Sequence, residues 1–219
     1  MLRNKFQREI ESLKTKLVRM GALVESAIDD SAKALITQNK ELCQKVIDTE
    51  KDIDALRVEI ESKSLKILLM QQPVAGDLRA ISTALKLIAE MERIGDQARD
   101  ICDILLELCE EDYQQALVIL PQMAELARVM VRESVDAFVK ESVELAEKVI
   151  KIDDEMDDLF NKLKVKMVKN LKEKPKYADQ MIYFLMLGKY FEKIGDHAEN
   201  IAQWVIFAKT GEHKNIKLF

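Results

Sequence analysis

The chain is poor in the residues that punctuate and decorate most enzymes. Its 219 residues include 6 Gly, 3 Pro, 1 Trp, 2 His and 3 Cys, and aromatic residues make up only 5%. So few Gly and Pro leave few breaks, and the elements between them must be long. The remainder is dominated by Ala, Leu, Glu, Lys and Asp, which favours helices and argues against a sheet protein. With aromatics scarce, the core must be built from Leu, Ile, Val, Met and Ala. Cys43, Cys102 and Cys109 follow no CxxC spacing, and their odd number fits no complete disulfide framework. They read as small apolar residues in a reducing cytoplasm. No apolar run approaches the roughly 20 residues of a membrane span. The start, MLRNKFQREIESLKTKL, is amphipathic and charged throughout, unlike a secretory signal. A net charge of −5 disfavours nucleic acid as a partner. The sequence also lacks a Ser/His/Asp or Cys/His set and a Gly-rich phosphate loop.

What is present is a repeat. Glu92–Ile101 reads ERIGDQARDI, and Glu192–Ile201 reads EKIGDHAENI. Upstream, Glu41–Ile47 (ELCQKVI) matches Glu144–Ile150 (ELAEKVI), and Asp54 and Leu56 match Asp157 and Leu159. Such self-similarity marks a tandem duplication. Apolar periodicity predicts six helices, over residues 4–38, 40–71, 77–110, 122–140, 143–171 and 177–209. All three prolines fall at or beside the breaks: Pro73 with Gly76, Pro121 at the start of the fourth helix, and Pro175. Long helices joined by short turns pack as antiparallel neighbours. The expected fold is all-α, two tandem pseudo-symmetric antiparallel three-helix bundles, with residues 1–110 as the first repeat and 111–219 as the second. Residues 111–120, with their ALVIL run, are expected to connect the halves and to pack.

Both repeats carry acidic ladders. If the second and third helices form a hairpin, Asp54 lies level with Asp96 and Glu50 with Asp100. In the second half Asp157 lies level with Asp196 and Asp153 with Asn200. Glu92 and Glu192 extend each ladder by one turn, since residues four apart share a helix face. Ala84, Ile88, Met91, Gly95, Ala98 and Cys102 form the adjoining apolar stripe, so the acids border the core. Gly95 and Gly195 precede the central Asp of each copy, where a helix would otherwise prefer alanine. Their recurrence points to a close neighbouring backbone or ligand shell. Carboxylates gathered on one surface repel, and oxygen ligands suit hard cations such as Mg, Ca, Mn or Fe. Against this, an isolated Glu-x-x-x-Asp pair is ordinarily solvated surface. Arg93–Asp96 and Lys193–Asp196 also have the spacing of ordinary i,i+3 ion pairs. Recurrence in both halves tips the reading towards metal.

These motifs, with Asp77–Arg79 and the acidic segment preceding each, resemble the paired signature of the PhoU family of phosphate-uptake regulators. The resemblance spans essentially the whole chain. It implies multinuclear metal clusters without fixing the metal; iron is expected, with manganese, magnesium or zinc as alternatives. Their ligands would be Glu50, Asp54, Glu92, Asp96 and Asp100 in one half, and Asp153, Asp157, Glu192, Asp196 and Asn200 in the other. Asn200 replaces a charge with an amide and is expected to weaken the second site or to change its ion count. The resemblance also implies negative regulation of the phosphate regulon through the ATPase subunit of the phosphate ABC transporter and a sensor histidine kinase. A homodimer is expected from apolar helix flanks.

Two other readings compete. A ferritin-type di-metal oxidase needs Glu-x-x-His on its helices, and neither His197 nor His213 lies three residues after a Glu. A metal-free helical scaffold would leave both ladders as solvated faces. Among lesser features, Asp30 and Glu133 read as solvated surface, Met20 and Met123 as core, and His197 as a solvated or bridging surface residue. Trp204 reads as core or contact surface, and the C-terminal KTGEHKNIKLF as frayed.

Overall fold

The computed structural model describes residues 2–71, 75–108, 118–213 and 216–217. It contains α1 (Leu2–Thr37), α2 (Lys40–Gln71), α3 (Ala75–Leu108), α4 (Ile119–Lys140), α5 (Val143–Glu173) and α6 (Ala178–Thr210). A single 3-10 turn, Pro175–Tyr177, leads into α6. The predicted helices and their order hold. Gly76 falls within the first turn of α3, outside the break, and nothing lies within 4 Å of where its Cβ would stand. Pro73 and Cys109 lie outside the described residues, as do the proposed boundary at 110/111 and most of the 111–120 connection. Of that connection, Val118 is exposed and Leu120 buried.

The first turn of each half is built twice from the same parts. Gln38 and Glu141 both take a left-handed conformation at φ 52°. The next residue then caps the following helix. Asn39 Oδ1 accepts from the Glu41 and Leu42 amides at 2.8 and 3.2 Å, and Ser142 Oγ accepts from the Leu145 amide at 3.2 Å. Buried Ser31 and Ser134 likewise each donate to a carbonyl one turn back, Ile28 and Val131.

Asp30 and Glu133 are repeat-related struts, correcting their reading as solvated surface. Asp30 is buried and receives Lys45 Nζ at 2.7 Å, and Glu133 receives Lys148 Nζ at 2.7 Å. A long lysine on the second helix of each half reaches a carboxylate on the first, which the sequence period alone does not reveal.

Each half is a three-helix bundle, and the two lie side by side with α3 against α6 and α1 against α4. Both contacts run antiparallel. Along α3–α6, Arg79 meets the Ala208 carbonyl, Thr83 the Trp204 carbonyl, Glu90 meets His197, and Glu107 meets the Tyr183 hydroxyl. Along α1–α4, Lys14 pairs with Glu141 and Asp29 with Arg128. The N-terminal ends of α3 and α6 therefore sit at opposite ends of the molecule, and both acidic ladders lie near its middle. One continuous apolar core runs through both halves. The expected stripe from Ala84 to Cys102 is buried along its length, as are Met20 and Met123.

At the C-terminus, Gly211 closes α6 at φ 82°, and Glu212–His213 pairs with Ile216–Lys217 as a two-stranded hairpin. The His213 ring stacks on Trp204 at 3.9 Å, which corrects the expectation of a frayed end over these residues. Trp204 also meets Phe207 edge-on at 5.5 Å and lies under Lys86, so it belongs to the seam between the halves.

Candidate metal centre

The first ladder converges as its spacing predicts, and two arginines sit inside it. Arg99 Nη1 lies 3.3 Å from both Glu50 and Asp96, while Nη2 lies 3.4 Å from Asp100. Arg57 Nε lies 3.0 Å from Glu92 and 3.9 Å from Asp54, and its Nη1 reaches Glu61 at 3.1 Å. Every predicted ligand of this half is therefore within 4 Å of a guanidinium. The charge is not fully cancelled. Burial pushes the Glu92 carboxyl up despite Arg57, with Asp54 and Asp96 adding to the rise. Burial does the same to Asp100 despite Arg99. For Arg99, burial opposes its charge, but Asp96, Glu50 and Asp100 together raise its pKa further. Arg93 pairs with Glu90 at 3.6 Å, not with Asp96 as its spacing suggested.

The second ladder is built on the same frame with different occupants. The frame is fixed by the glycines. A Cβ on Gly95 would come 3.1 Å from Ile53, and one on Gly195 would come 3.2 Å from Met156, the residue matching Ile53. The close neighbour at each glycine is thus a packed side chain of the adjoining helix. At Gly195 it includes the Asp153 carboxylate as well, 3.4 Å from that Cβ position. In this register Phe160 stands where the first half has Arg57, and Glu199 stands where it has Arg99. Lys189 pairs with Glu192 at 2.5 Å, and Lys193 pairs with Asp196 and lies 3.6 Å from Glu192. Among the described residues no cationic side chain lies within 4 Å of Asp153, Asp157 or Glu199. The Asp153 carboxyl is pushed up to about 7, first by burial and then by Glu199, Asp196, Asp157 and Glu192.

Sequence reasoning missed Glu199 because it looked for identities between the copies. The signal was the mismatch within the motif, Arg99 against Glu199. Asn200 is half-buried beside this cluster, and the added Glu199 carboxylate offsets the charge its amide lacks.

A resident cation fits the two halves differently. Among the described residues, no three carboxylate, imidazole or thiolate groups are gathered closely enough to hold a metal ion as their side chains stand. Binding therefore needs side chains to rearrange. In the second half the donors are hard oxygens, the glycine leaves room beside Asp153, and the lysines sit at the rim, 46% and 41% exposed. In the first half two guanidiniums occupy the space between the carboxylates.

His197 lies outside both ladders. Its Nδ1 and Glu90 Oε2 are 2.7 Å apart, both side chains are largely buried, and the contact ties α6 to α3. Its reading as a solvated residue is corrected, and its bridging character is the one observed. Cys43 and Cys102 are free and buried. Their thiols hydrogen-bond inside the first bundle, which draws the Cys43 pKa down and drives that of Cys102 up. The matching positions in the second half are buried Ala146 and Ala202.

Comparison with known proteins identifies this architecture. The family model described as "PhoU domain" matches residues 17–105 and again 120–205. The phosphate-specific transport system accessory protein PhoU homolog of Clostridium acetobutylicum is 32% identical over 217 residues, covering 99% of this chain and 99% of that relative. The corresponding protein of Escherichia coli is 28% identical over 207 residues, covering 94% and 86%. The crystal structure of PhoU from Pseudomonas aeruginosa superposes with a TM-score of 0.91 at 31% identity, covering 94% of this chain and 100% of that one. That of the phosphate transport system regulatory protein PhoU from Streptococcus pneumoniae shares the fold, with a TM-score of 0.88 at 22% identity over 95% and 98%.

Proposed function

The chain belongs to the PhoU family, and from that premise we propose that it is a metal-binding, non-enzymatic negative regulator of phosphate uptake and of the phosphate regulon. It acts as a cytoplasmic adaptor between the ATPase subunit of a phosphate ABC transporter and a sensor histidine kinase. The observation that carries this reading is the match along nearly the full length of relatives named as accessory proteins of phosphate-specific transport, in both sequence and fold. No described helix is long and apolar enough to cross a membrane, which suits an accessory subunit. Exposed Leu69, Met70 and Val165 supply apolar surface for partners or for a homodimer.

The metal part of the reading rests on carboxylates that converge in both halves. Asp153, Asp157, Glu192, Asp196, Glu199 and the Asn200 amide would hold the cation in the second half. Iron is the foremost choice and manganese, magnesium or zinc the others. A cation held there would supply charge neutralisation across α5 and α6 and a positive centre for an anion such as phosphate. The chain's own residues do the rest: Gly195 lets Asp153 approach α6, and Lys189 and Lys193 hold the rim carboxylates when no cation is present.

The test is a reporter driven by a phosphate-starvation promoter, in cells lacking the chromosomal copy of this gene. The wild-type gene restores repression in high phosphate, and Asp153→Asn with Asp157→Asn leaves the reporter on at normal protein level. Full repression by that variant removes the metal from the regulatory mechanism. A metal-independent scaffold is the second reading, favoured by the arginines in the first ladder. It requires that chelation leave both melting temperature and partner binding unchanged, since an ion bound only to the folded state must stabilise it.

A further inference from the structure

The two copies of the ladder share a frame and differ in what neutralises them. In the first, two guanidiniums touch all five carboxylates, Glu50, Asp54, Glu92, Asp96 and Asp100, at 3.0–3.9 Å. In the second, two lysines touch only Glu192 and Asp196 and leave Asp153, Asp157 and Glu199 without a cationic partner among the described residues. The exchange is a substitution at matching positions, Arg57 for Phe160 and Arg99 for Glu199.

We infer that Arg57 and Arg99 are the first ladder's own counter-cations, fixed in the sequence, and that the second ladder alone is left to take multivalent metal. The inference rests on the metal reading above and narrows it to one half of the molecule. A guanidinium cannot shed its charge and presents its donors in a rigid fork. Arg99 holds three carboxylates at once, so a metal entering there must break three charge-assisted contacts and leave a cation beside itself. The cations of the second ladder are lysines, compact charges on flexible stems at the rim, and they swing into water without uncovering the inner carboxylates. Phe160 in place of Arg57 adds no charge there and packs beneath Lys164 and Lys189, at 5.4 and 5.3 Å from its ring.

Equilibrium binding of Mn(II) to the full-length chain, freed of metal with chelator and desalted, decides the matter. Bound manganese per chain is counted for wild type and four variants. Asp54→Asn with Asp96→Asn is expected to bind as the wild type does. Asp153→Asn with Asp157→Asn, and separately Glu199→Arg, are expected to lose affinity by about tenfold to a hundredfold or more. Arg57→Phe with Arg99→Glu is expected to bind additional manganese, with a melting temperature that now rises further on adding metal. If the pair at Asp54 and Asp96 costs the wild type part of its manganese, the inference is overturned while the metal reading stands. The same holds if the arginine variant, folded by circular dichroism, binds no more than wild type. Should that variant fail to fold, Arg99→Gln replaces it with the same expected gain, and its binding no more than wild type equally overturns the inference. If no protein in the set binds manganese, the metal reading itself falls.

Discussion

The halves of this molecule agree in their cores and in the turn after the first helix of each, and disagree in their ladders, and the disagreement separates what the fold requires from what function selects. Leu87 and Leu187, Ile94 and Ile194, Ala98 and Ala198, and Ile101 and Ile201 are buried at matching positions. Where the cores differ, volume is conserved locally. Ala84 and Ile88 of α3 become Phe184 and Gly188 of α6, one turn apart, so one position gains volume and the other loses it, and Leu163 of α5 fills the space a side chain at Gly188 would take. The ladders do not compensate in this way. They keep the backbone frame and exchange arginines for a ring and a carboxylate.

The comparison can be broken first in the core. Leu87→Ala and Leu187→Ala are each expected to cost about 2–5 kcal/mol. Chemical denaturation should find the two alike to within the spread of such substitutions. A marked inequality would mean that the halves are not equivalent as cores. Next comes Gly188→Ala. Its new Cβ would stand 2.1 Å from Leu163 Cδ2, too close for that buried side chain to stay in place. Overpacking of about 1–3 kcal/mol is expected there, beyond the helix propensity gained. Gly95→Ala meets Ile53 at 3.1 Å and should cost far less.

The seam offers a third comparison. Glu90 and His197 hydrogen-bond across it, while the matching positions hold Tyr190 and Gln97. His197→Ala leaves the largely buried Glu90 carboxylate without this partner, so about 1–3 kcal/mol of stability should be lost. Gln97→Ala should be nearly silent in the same denaturation measurement.

A smaller effect distinguishes the ladders by pH. Asp153 titrates near 7 in the fold against an ordinary 3.8. Between those values the native chain keeps a proton that the unfolded chain has released. Stability of the metal-free protein should therefore fall as pH rises from about 4 to about 7, a slope contributed by this residue. Asp153→Asn should flatten that part of the profile, as read from melting temperature against pH. Smallest of all, the exposed pair Asp29–Lys33 at 3.5 Å should contribute no more than a few tenths of a kcal/mol to a double-mutant cycle.

Much of this was legible before any coordinates. Long periodic helices need only local pattern, and a duplicated motif places the same element twice. The height matching that set Asp54 opposite Asp96 uses only helix rise and a short turn. What could not be read was which long side chains reach which carboxylates. Arg93 and Lys193 occupy matching positions, yet Lys193 turns to Asp196 and Arg93 to Glu90. The choice depends on neighbours supplied by other helices. Asp30 and Glu133 looked solvated because their lysine partners lie 15 residues on, across a turn. The C-terminal hairpin was invisible for the same kind of reason, since His213 is held by a ring on the preceding helix. Glu199 was overlooked because comparing two copies draws attention to identity, whereas the informative position was the one that changed sign.

The most direct measurement is an anomalous difference map from crystals of this chain grown with Mn(II). Peaks between α5 and α6 beside Asp153, with none between α2 and α3 beside Arg99, are the expected result. Peaks of equal height on both ladders, or peaks on the first alone, would contradict the account.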